Sequence, residues 1–500
     1  MKNLTDLRAS GLLLPLTALP SEHGIGTLGA EARHFIDFLH ASGQTFWQML
    51  PVGPTGYGDS PYQSSSSYAG NPYLIDLDLL CADGLLLPEE VEETPFGTDP
   101  GFIDYGLLYE NRRPLLRKAF LRSLQRGDEI EILEFMRKEE SWLPDFCLYT
   151  ALKKQHGEKT WKDWPEPFRN RDEQALAKAK DELREDILFE AFMQWIFFAQ
   201  WADMKRYANR KGIYLIGDLP IYIAEDSAEL WANPHLFHMD ENNVPSLVGG
   251  VPPDDFSKNG QLWGNPLYDW EVHKKEDYAW WIDRLQSVYR FTDILRIDHF
   301  RGFAGYWGIP YEASSAAAGQ WYDGPGADFF SAVNRQMPGA QIIAEDLGFM
   351  TPEVVKIRKD AGYPGMQILE FAFDASMNAD SLPHKHEKDN VVYIGTHDNQ
   401  TLKEWMQTQS RADVQYATDY FHLNKKEGIQ WGFIRGAMSS VANLSIFQVQ
   451  DLLYLGAEGR MNRPNTAQGN WTWRMKPDAL TDTMAKKLKE RTEWFGRMTR

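Results

Sequence analysis

The fold predicted by the sequence is α/β: a (β/α)8 TIM barrel carrying a mainly helical insertion and long loops at one rim. Three observations lead to it. Short apolar runs with strand character alternate with helical stretches, the rhythm of a parallel sheet. Eight such runs occur, enough to close a barrel. Three of the later runs end in carboxylates: Ile294-Leu295-Arg296-Ile297-Asp298-His299, Ile342-Ile343-Ala344-Glu345-Asp346, and Val391-Val392-Tyr393-Ile394-Gly395-Thr396-His397-Asp398-Asn399. A charge at the tail of a buried strand is costly unless it is paired or used. The C-terminal rim of a parallel barrel is where such groups are used.

The elements follow in order. Residues 11–16 form the first apolar run, and residues 30–42 a helix with Phe35, Ile36, Phe38 and Leu39 on one stripe, stopped at Gly43. Residues 46–52 are the second strand, closed by Gly53-Pro54, and residues 213–216 the third, ending at Gly217-Asp218-Leu219-Pro220. The carboxylate strands come next, with residues 366–373 between the second and third of them. Residues 446–449 are the eighth strand. Residues 1–500 are therefore expected to be one barrel. Residues from about 80 to 185, rich in Leu, Glu, Lys and Arg, are expected to be a helical insertion subdomain between strands 2 and 3, and the barrel's own helix resumes near residues 186–207. Residues from about 225 to 290, rich in Gly, Pro, Asn and Trp, are expected to form a loop-rich insertion over the cleft, since long loops in compact domains are usually functional.

Composition narrows the function. The formal net charge is -19, with 71 acidic against 52 basic side chains. Nucleic-acid binding needs clustered Lys and Arg, so that class is disfavoured. Aromatic content is 13%, including 18 Trp and 21 Tyr, enough to furnish both a core and a stacking surface. The two cysteines, Cys81 and Cys147, form no Cys-x-x-Cys pair, and the first residues lack an extended apolar segment. The expectation is a cytoplasmic protein with no membrane span.

Arg296 and Asp298 share a strand face, and a neighbouring guanidinium favours the ionised carboxylate. That suits a nucleophile, though the same pair also suits a structural ion pair inside the barrel. Glu345 and Asp346 face opposite sides. Glu345 has the reach to protonate a leaving oxygen if burial or negative charge raises its pKa. Asp346 is expected to bond backbone at the turn or cap the helix after Thr351. Asp398 is suited to stabilising a cationic centre, with His397 donating to a hydroxyl. No second ligand cluster accompanies the His-Asp pair, and no phosphate cradle, nicotinamide fingerprint or Schiff-base lysine stands out, so neither metal nor organic cofactor is expected. Converging carboxylates of this kind are the equipment for cleaving a glycosidic bond.

At this point the chain resembles a known family. The stretches Arg296-Ile297-Asp298-His299-Phe300-Arg301-Gly302, Ala344-Glu345-Asp346-Leu347-Gly348 and Gly395-Thr396-His397-Asp398-Asn399 are similar to those of the 4-α-glucanotransferases (amylomaltases, disproportionating enzymes) of glycoside hydrolase family 77. So are Gly56-Tyr57-Gly58-Asp59-Ser60-Pro61-Tyr62-Gln63, Gly217-Asp218-Leu219-Pro220, Gly250-Val251-Pro252-Pro253-Asp254, Arg460-Met461-Asn462 and Gly469-Asn470-Trp471. The resemblance implies Asp298 as nucleophile, Glu345 as general acid/base and Asp398 as transition-state stabiliser. It further implies sugar-binding roles for Tyr62, Arg296, His299 and His397, a cleft-covering loop with Asp254, Gln261 and Trp263, and a secondary glucan contact at Tyr57. Partners would be α-1,4-glucan donors and acceptors: maltodextrins, starch and glycogen. Two stretches depart from the family pattern: Pro15-Leu16-Thr17-Ala18-Leu19-Pro20 and Asn465-Thr466-Ala467-Gln468. An amylase-type α-1,4-glucan hydrolase would use the same acids, and a catalytically silent glucan-binding barrel would keep the shape. Trp263, Tyr268, Trp471 and Trp473 are divided between covering the cleft and packing their own loops.

Overall fold

The structure, a computed structural model, describes residues 3–56, 58–253, 258–348, 350–374, 379–464, 466 and 468–499. Its strands in chain order are β1 (Ala9–Leu13), β2 (Phe46–Gln48), β3 (Tyr214–Leu219), β4 (Leu247–Val251), β5 (Gln261–Pro266), β6 (Ile294–Ile297), β7 (Gly305–Pro310), β8 (Gln320–Asp323), β9 (Ile342–Ala344), β10 (Gly365–Ile368), β11 (Asn390–Tyr393) and β12 (Leu444–Gln448). Eight of these, in the order β1-β12-β11-β10-β9-β6-β3-β2, close into a barrel, and every paired neighbour in it is parallel. These are the eight runs expected from the sequence. The strands themselves are short, three to six residues, and the carboxylates fall just beyond them.

The barrel interior is packed. Leu13, Phe46, Ile216, Ile294, Ile343, Met366, Val391, Tyr393, Leu444 and Ile446 form one buried apolar cluster. Branched and aromatic residues alternating inward fill the tapering space that eight strands enclose. Above this layer the interior turns polar. The Tyr393 hydroxyl donates to Gln48 Oε1 at 2.8 Å, and Arg296 lies opposite Asp218 in the β3–β6 register. A much larger apolar layer joins the strands to the surrounding helices. There Phe35, Ile36 and Leu39 of the helix Ala30–Ala41 are buried, and Gly43 ends that helix in the left-handed region at φ 72°.

Between β2 and β3 the described elements are helical, the longest being Tyr105–Arg126, Leu143–Gln155 and Arg184–Arg210. The last of these runs 27 residues and delivers the chain to β3. The segment expected to be loop-rich, residues from about 225 to 290, also contains regular strands. β4 and β5 lie there, and with β7 and β8 they build an antiparallel sheet in the order β5-β4-β7-β8. Gly249 and Gly308 face each other across this sheet, where Cβ atoms would meet Tyr222 and Tyr322 at 3.0 Å or less. Many glycines diluted the alternation that marks a strand, which is why the sheet was not visible in the sequence. Among the described residues no helix is long and apolar enough to cross a membrane.

Candidate functional site

Three barrel strands deliver the three carboxylates to one rim. β6 ends at Ile297 and Asp298 follows; β9 ends at Ala344 and Glu345 follows. β11 ends at Tyr393, and a turn carries the chain on to Asp398. The ladder continues past the strand ends. Glu345 N donates to Ile297 O at 3.0 Å, and Phe300 N donates to Glu345 O at 3.0 Å. His299, between them, adopts the left-handed region at φ 48°, ψ 48°. Such a conformation costs a non-glycine residue on the order of 1–3 kcal/mol and clusters at functional sites. Here it turns the His299 N–H onto Glu345 Oε2 at 2.7 Å, while Leu347 N donates to Oε1 at 3.0 Å.

Arg296 is buried, 4% exposed, and its guanidinium spans two carboxylates. Nη1 donates to Asp218 Oδ1 and Oδ2 at 2.6 and 2.7 Å, and Nη2 lies 2.9 Å from Asp298 Oδ1. A planar guanidinium can hold both at once, where a lysine could hold only one well. The ion pair expected between Arg296 and Asp298 is therefore present, and Asp218 extends it to a third residue.

Around Asp398 a second network forms. The Tyr62 hydroxyl donates to Asp218 Oδ2 at 2.8 Å. Its one proton is thus used, so His397 Nε2 must be the donor in its 2.8 Å contact with the Tyr62 oxygen. The same Nε2 lies 3.3 Å from Asp398 Oδ2, and Asn462 Nδ2 donates to Asp398 Oδ1 at 2.6 Å. The Tyr62 and His397 rings stack at 5.2 Å, and Trp471 leans against both, at 6.0 and 6.1 Å. On the other side, the Trp263 ring meets His299 edge-on at 4.9 Å, and Trp263 Nε1 donates to Gln261 Oε1 at 3.0 Å.

These surroundings set the protonation states apart. Burial, reinforced by the negative charge of Asp298, pushes Glu345 up to about 7; Arg296 and the two backbone N–H donors only partly oppose this. Asp398 goes the other way. Its desolvation is outweighed by the His397 charge and by hydrogen bonds from His397 and Asn462, which hold it well below the usual carboxylate range. His397 is raised in return: burial opposes its charge, and Asp398 restores it. Burial lowers His299 to about 4, so its imidazole is neutral and can both donate and accept. One acid protonated near neutrality in the same site as Asp398, which is held ionised, is the division of labour that acid–base chemistry needs.

The site is open. Asp298 keeps 28% of its side-chain surface exposed and Asp398 keeps 47%. Tyr62, Arg296, His299, His397, Gln261 and Trp263 thus lie in one linked neighbourhood with Asp298, Glu345 and Asp398. Tyr57 and Asp254 lie outside the described residues. Asp346 points away: its Oδ1 accepts from Met366 N at 2.7 Å and its Oδ2 pairs with Arg358 Nε at 2.9 Å. It bonds backbone, as expected, but the helix Pro352–Ala361 is capped by Thr351. Tyr268 is fully buried against Tyr222, Phe237, Trp270 and Trp281, so it is a core residue. Trp473 is also buried, its backbone bridged to Phe102. Of the four aromatics, Trp263 and Trp471 are the two at the site.

Two residues of the neighbourhood were not singled out from the sequence. Asp218 stands next to last in an apolar strand, close to the strand-end signal used for the other three acids. Asn462 lies in a loop without periodicity; the resemblance marked its stretch, Arg460-Met461-Asn462, but gave it no role.

A family model described as 4-alpha-glucanotransferase, glycoside hydrolase family 77, matches residues 14–481. The chain is 45% identical over 484 residues to a 4-alpha-glucanotransferase of Clostridium butyricum, covering 96% of this chain and 99% of the relative. It is 45% identical over 505 residues to one of Thermus thermophilus, covering 98% and 99%. Among solved structures, the amylomaltase from Streptococcus agalactiae in complex with acarbose superposes with a TM-score of 0.96 at 41% identity, covering 98% of this chain and 99% of that one. On its strands, its rim of acids and these relatives together, the chain belongs to glycoside hydrolase family 77, the 4-α-glucanotransferases.

Proposed function

We propose that the chain transfers α-1,4-glucan segments from one maltodextrin to the 4-hydroxyl of another glucan or of glucose, by retaining double displacement through a covalent glycosyl-enzyme. The observation that carries this reading is the pairing of Glu345, held at about 7, with Asp298 paired to Arg296. In the first step an Asp298 carboxylate oxygen attacks the anomeric carbon. The glycosidic C–O bond breaks, and Glu345 gives its proton to the departing 4-oxygen. The donor's reducing-end fragment leaves and a glycosyl ester remains on Asp298. Glu345, now ionised, takes the proton from an incoming 4-hydroxyl. That oxygen forms the new glycosidic bond and the ester bond breaks, returning Asp298 to carboxylate. Asp398 faces the positive charge that develops at the sugar ring in both steps. Arg296 keeps one Asp298 oxygen occupied and leaves the other for attack. Tyr62, backed by the stacked His397 ring and the tilted Trp471, supplies an aromatic surface for the donor sugar, and Trp263, Gln261 and His299 flank it from the other side. Roles for Asp254 in the covering loop and for Tyr57 at a secondary glucan contact rest on the family resemblance alone.

No metal or organic cofactor enters this chemistry. The net charge of -19 and two cysteines without a disulfide support action on neutral glucans in the cytoplasm.

Maltotriose as sole substrate tests the reading. The expected products are glucose and longer maltodextrins, with the number of reducing ends constant. A steady rise in reducing ends would instead identify an amylase-type hydrolase, and an inert mixture a glucan-binding barrel. The pH dependence follows from Glu345. The first step needs its protonated form, so kcat/KM for maltotriose should fall as pH rises through about 7, approaching tenfold per pH unit. A profile flat up to pH 9 would remove Glu345 from the acid role.

A further inference from the structure

We propose that Arg460 and Glu404 are positioning residues that fix Asp398 through Asn462, an inference that rests on the transferase reading above. Asp398 stands on a turn five residues beyond its strand, with nearly half of its side chain exposed. A carboxylate placed that way has no rigid element of its own to aim it. What aims it is the segment after β12. Asn462 is tied at three points: its N–H donates to His397 O at 3.1 Å, its Nδ2 to Asp398 Oδ1 at 2.6 Å, and its carbonyl accepts from Arg460 Nε at 2.9 Å.

Arg460 is the hub. Besides the Asn462 carbonyl, its Nη2 reaches the Asp398 carbonyl at 3.4 Å and its Nη1 lies 3.5 Å from Glu404 Oε1. The guanidinium fork therefore joins the backbone of the stabilising aspartate, the backbone of the residue that hydrogen-bonds it, and a buried carboxylate. Glu404 is only 8% exposed at its side chain and also holds Arg463 at 3.3 Å. It stands in the first turn of the helix Leu402–Thr408, where Thr401 Oγ1 accepts its N–H. That helix is anchored in turn by Asp451, just past β12, whose Oδ1 accepts from Leu402 N at 2.7 Å. A continuous path thus runs from the eighth barrel strand to the carboxylate of Asp398. Among the described residues each oxygen of Asp398 has one partner, Asn462 for Oδ1 and His397 for Oδ2. Losing the first frees the group to rotate about the second.

The consequence is specific to kcat. Asp398 matters most when positive charge develops at the sugar, so loosening it should slow chemistry more than it weakens ground-state binding. Misplacing a catalytic group by about 1 Å costs on the order of 100-fold in rate.

The test uses Arg460→Ala, Arg460→Lys and Glu404→Gln in the full chain, assayed on maltotriose and on α-maltotriosyl fluoride. Arg460→Ala should lower kcat about 10–100-fold and change KM by less than about threefold. Arg460→Lys should recover part of the loss, because an ammonium keeps the Glu404 pair but cannot also reach both carbonyls. Glu404→Gln should fall between Arg460→Lys and the unmodified protein. The deficit should persist on the fluoride, whose departure needs no proton, since Asp398 acts whatever group leaves. Unchanged kcat in Arg460→Ala, or a deficit that the fluoride abolishes, would overturn the inference. If Arg460→Ala fails to fold, the same criteria apply to Arg460→Lys and Glu404→Gln. The unmodified protein on maltotriose is the control: if it does not transfer, the functional reading has failed rather than this one.

Discussion

Replacing Glu345 by Gln should lower kcat on maltotriose by roughly 10²–10⁴-fold, the usual contribution of a positioned acid–base group. On α-maltotriosyl fluoride, formation of the glycosyl-enzyme should be largely spared, because fluoride departs without protonation. The second step should stay slow, because no carboxylate remains to take the acceptor's proton. The alkaline limb near pH 7 should vanish as well, since it belongs to this carboxyl group. The substitution has a local cost. Both Glu345 oxygens accept backbone N–H groups, from His299 and Leu347, and an amide offers only one acceptor. One buried donor is left facing an NH₂, at about 1–3 kcal/mol. The melting temperature therefore has to be recorded beside the rates. A folded Glu345→Gln protein with undiminished turnover of maltotriose would sink the assignment.

The barrel was legible because each of its strands is a short apolar run followed by a polar break, and that pattern survives in single-sequence form. The acids were legible for a related reason. A carboxylate directly after Ile297 or Ala344 has no apolar function, so chemistry or pairing must explain it. Similar logic covers Asp218, next to last in β3, yet its place opposite Arg296 in the register appears only when strands are paired. The resemblance marked the stretch Arg460-Met461-Asn462, but its tie to Asp398, and Glu404 altogether, went unread for a different cause. Arg460 and Asn462 meet Asp398 across 62 and 64 residues of sequence, and Glu404 meets Arg460 rather than Asp398, so no periodic face links them. The antiparallel sheet was obscured by Gly249, Gly250, Gly305 and Gly308, which admit close packing of Tyr222, Tyr322 and Ile309 and thereby erase the strand signature. Trp263 shows the mixed case. Its residue type suggested a sugar surface, but only the β5 backbone brings it against His299.

Removing the proposed nucleophile should have the largest effect of all. Asp298→Asn should reduce transfer by about 10⁴–10⁶-fold, the scale seen when a covalent nucleophile is lost. The fluoride donor should not relieve it, because a better leaving group cannot replace the attacking oxygen. This separates Asp298 from Glu345, whose loss the fluoride does relieve. It also permits a direct observation of the intermediate. Glu345→Gln incubated with α-maltotriosyl fluoride should accumulate a glycosyl ester: the Asp298 oxygen bonds to the anomeric carbon, fluoride leaves with the electron pair, and the second step stalls. Intact mass should rise by one maltotriosyl unit, and peptide mapping should place the adduct on Asp298. Glu345→Gln combined with Asp298→Asn should carry none. Arg296 frames the expectation physically. With Nη2 on one Asp298 oxygen at 2.9 Å and Nη1 anchored on Asp218, the carboxylate is fixed at one end, and its second oxygen, without a partner among the described residues, is left for carbon. An adduct on Asp218 or Asp398 instead, or no adduct with a donor that is nonetheless consumed, would mean that the covalent step runs through another group or not at all.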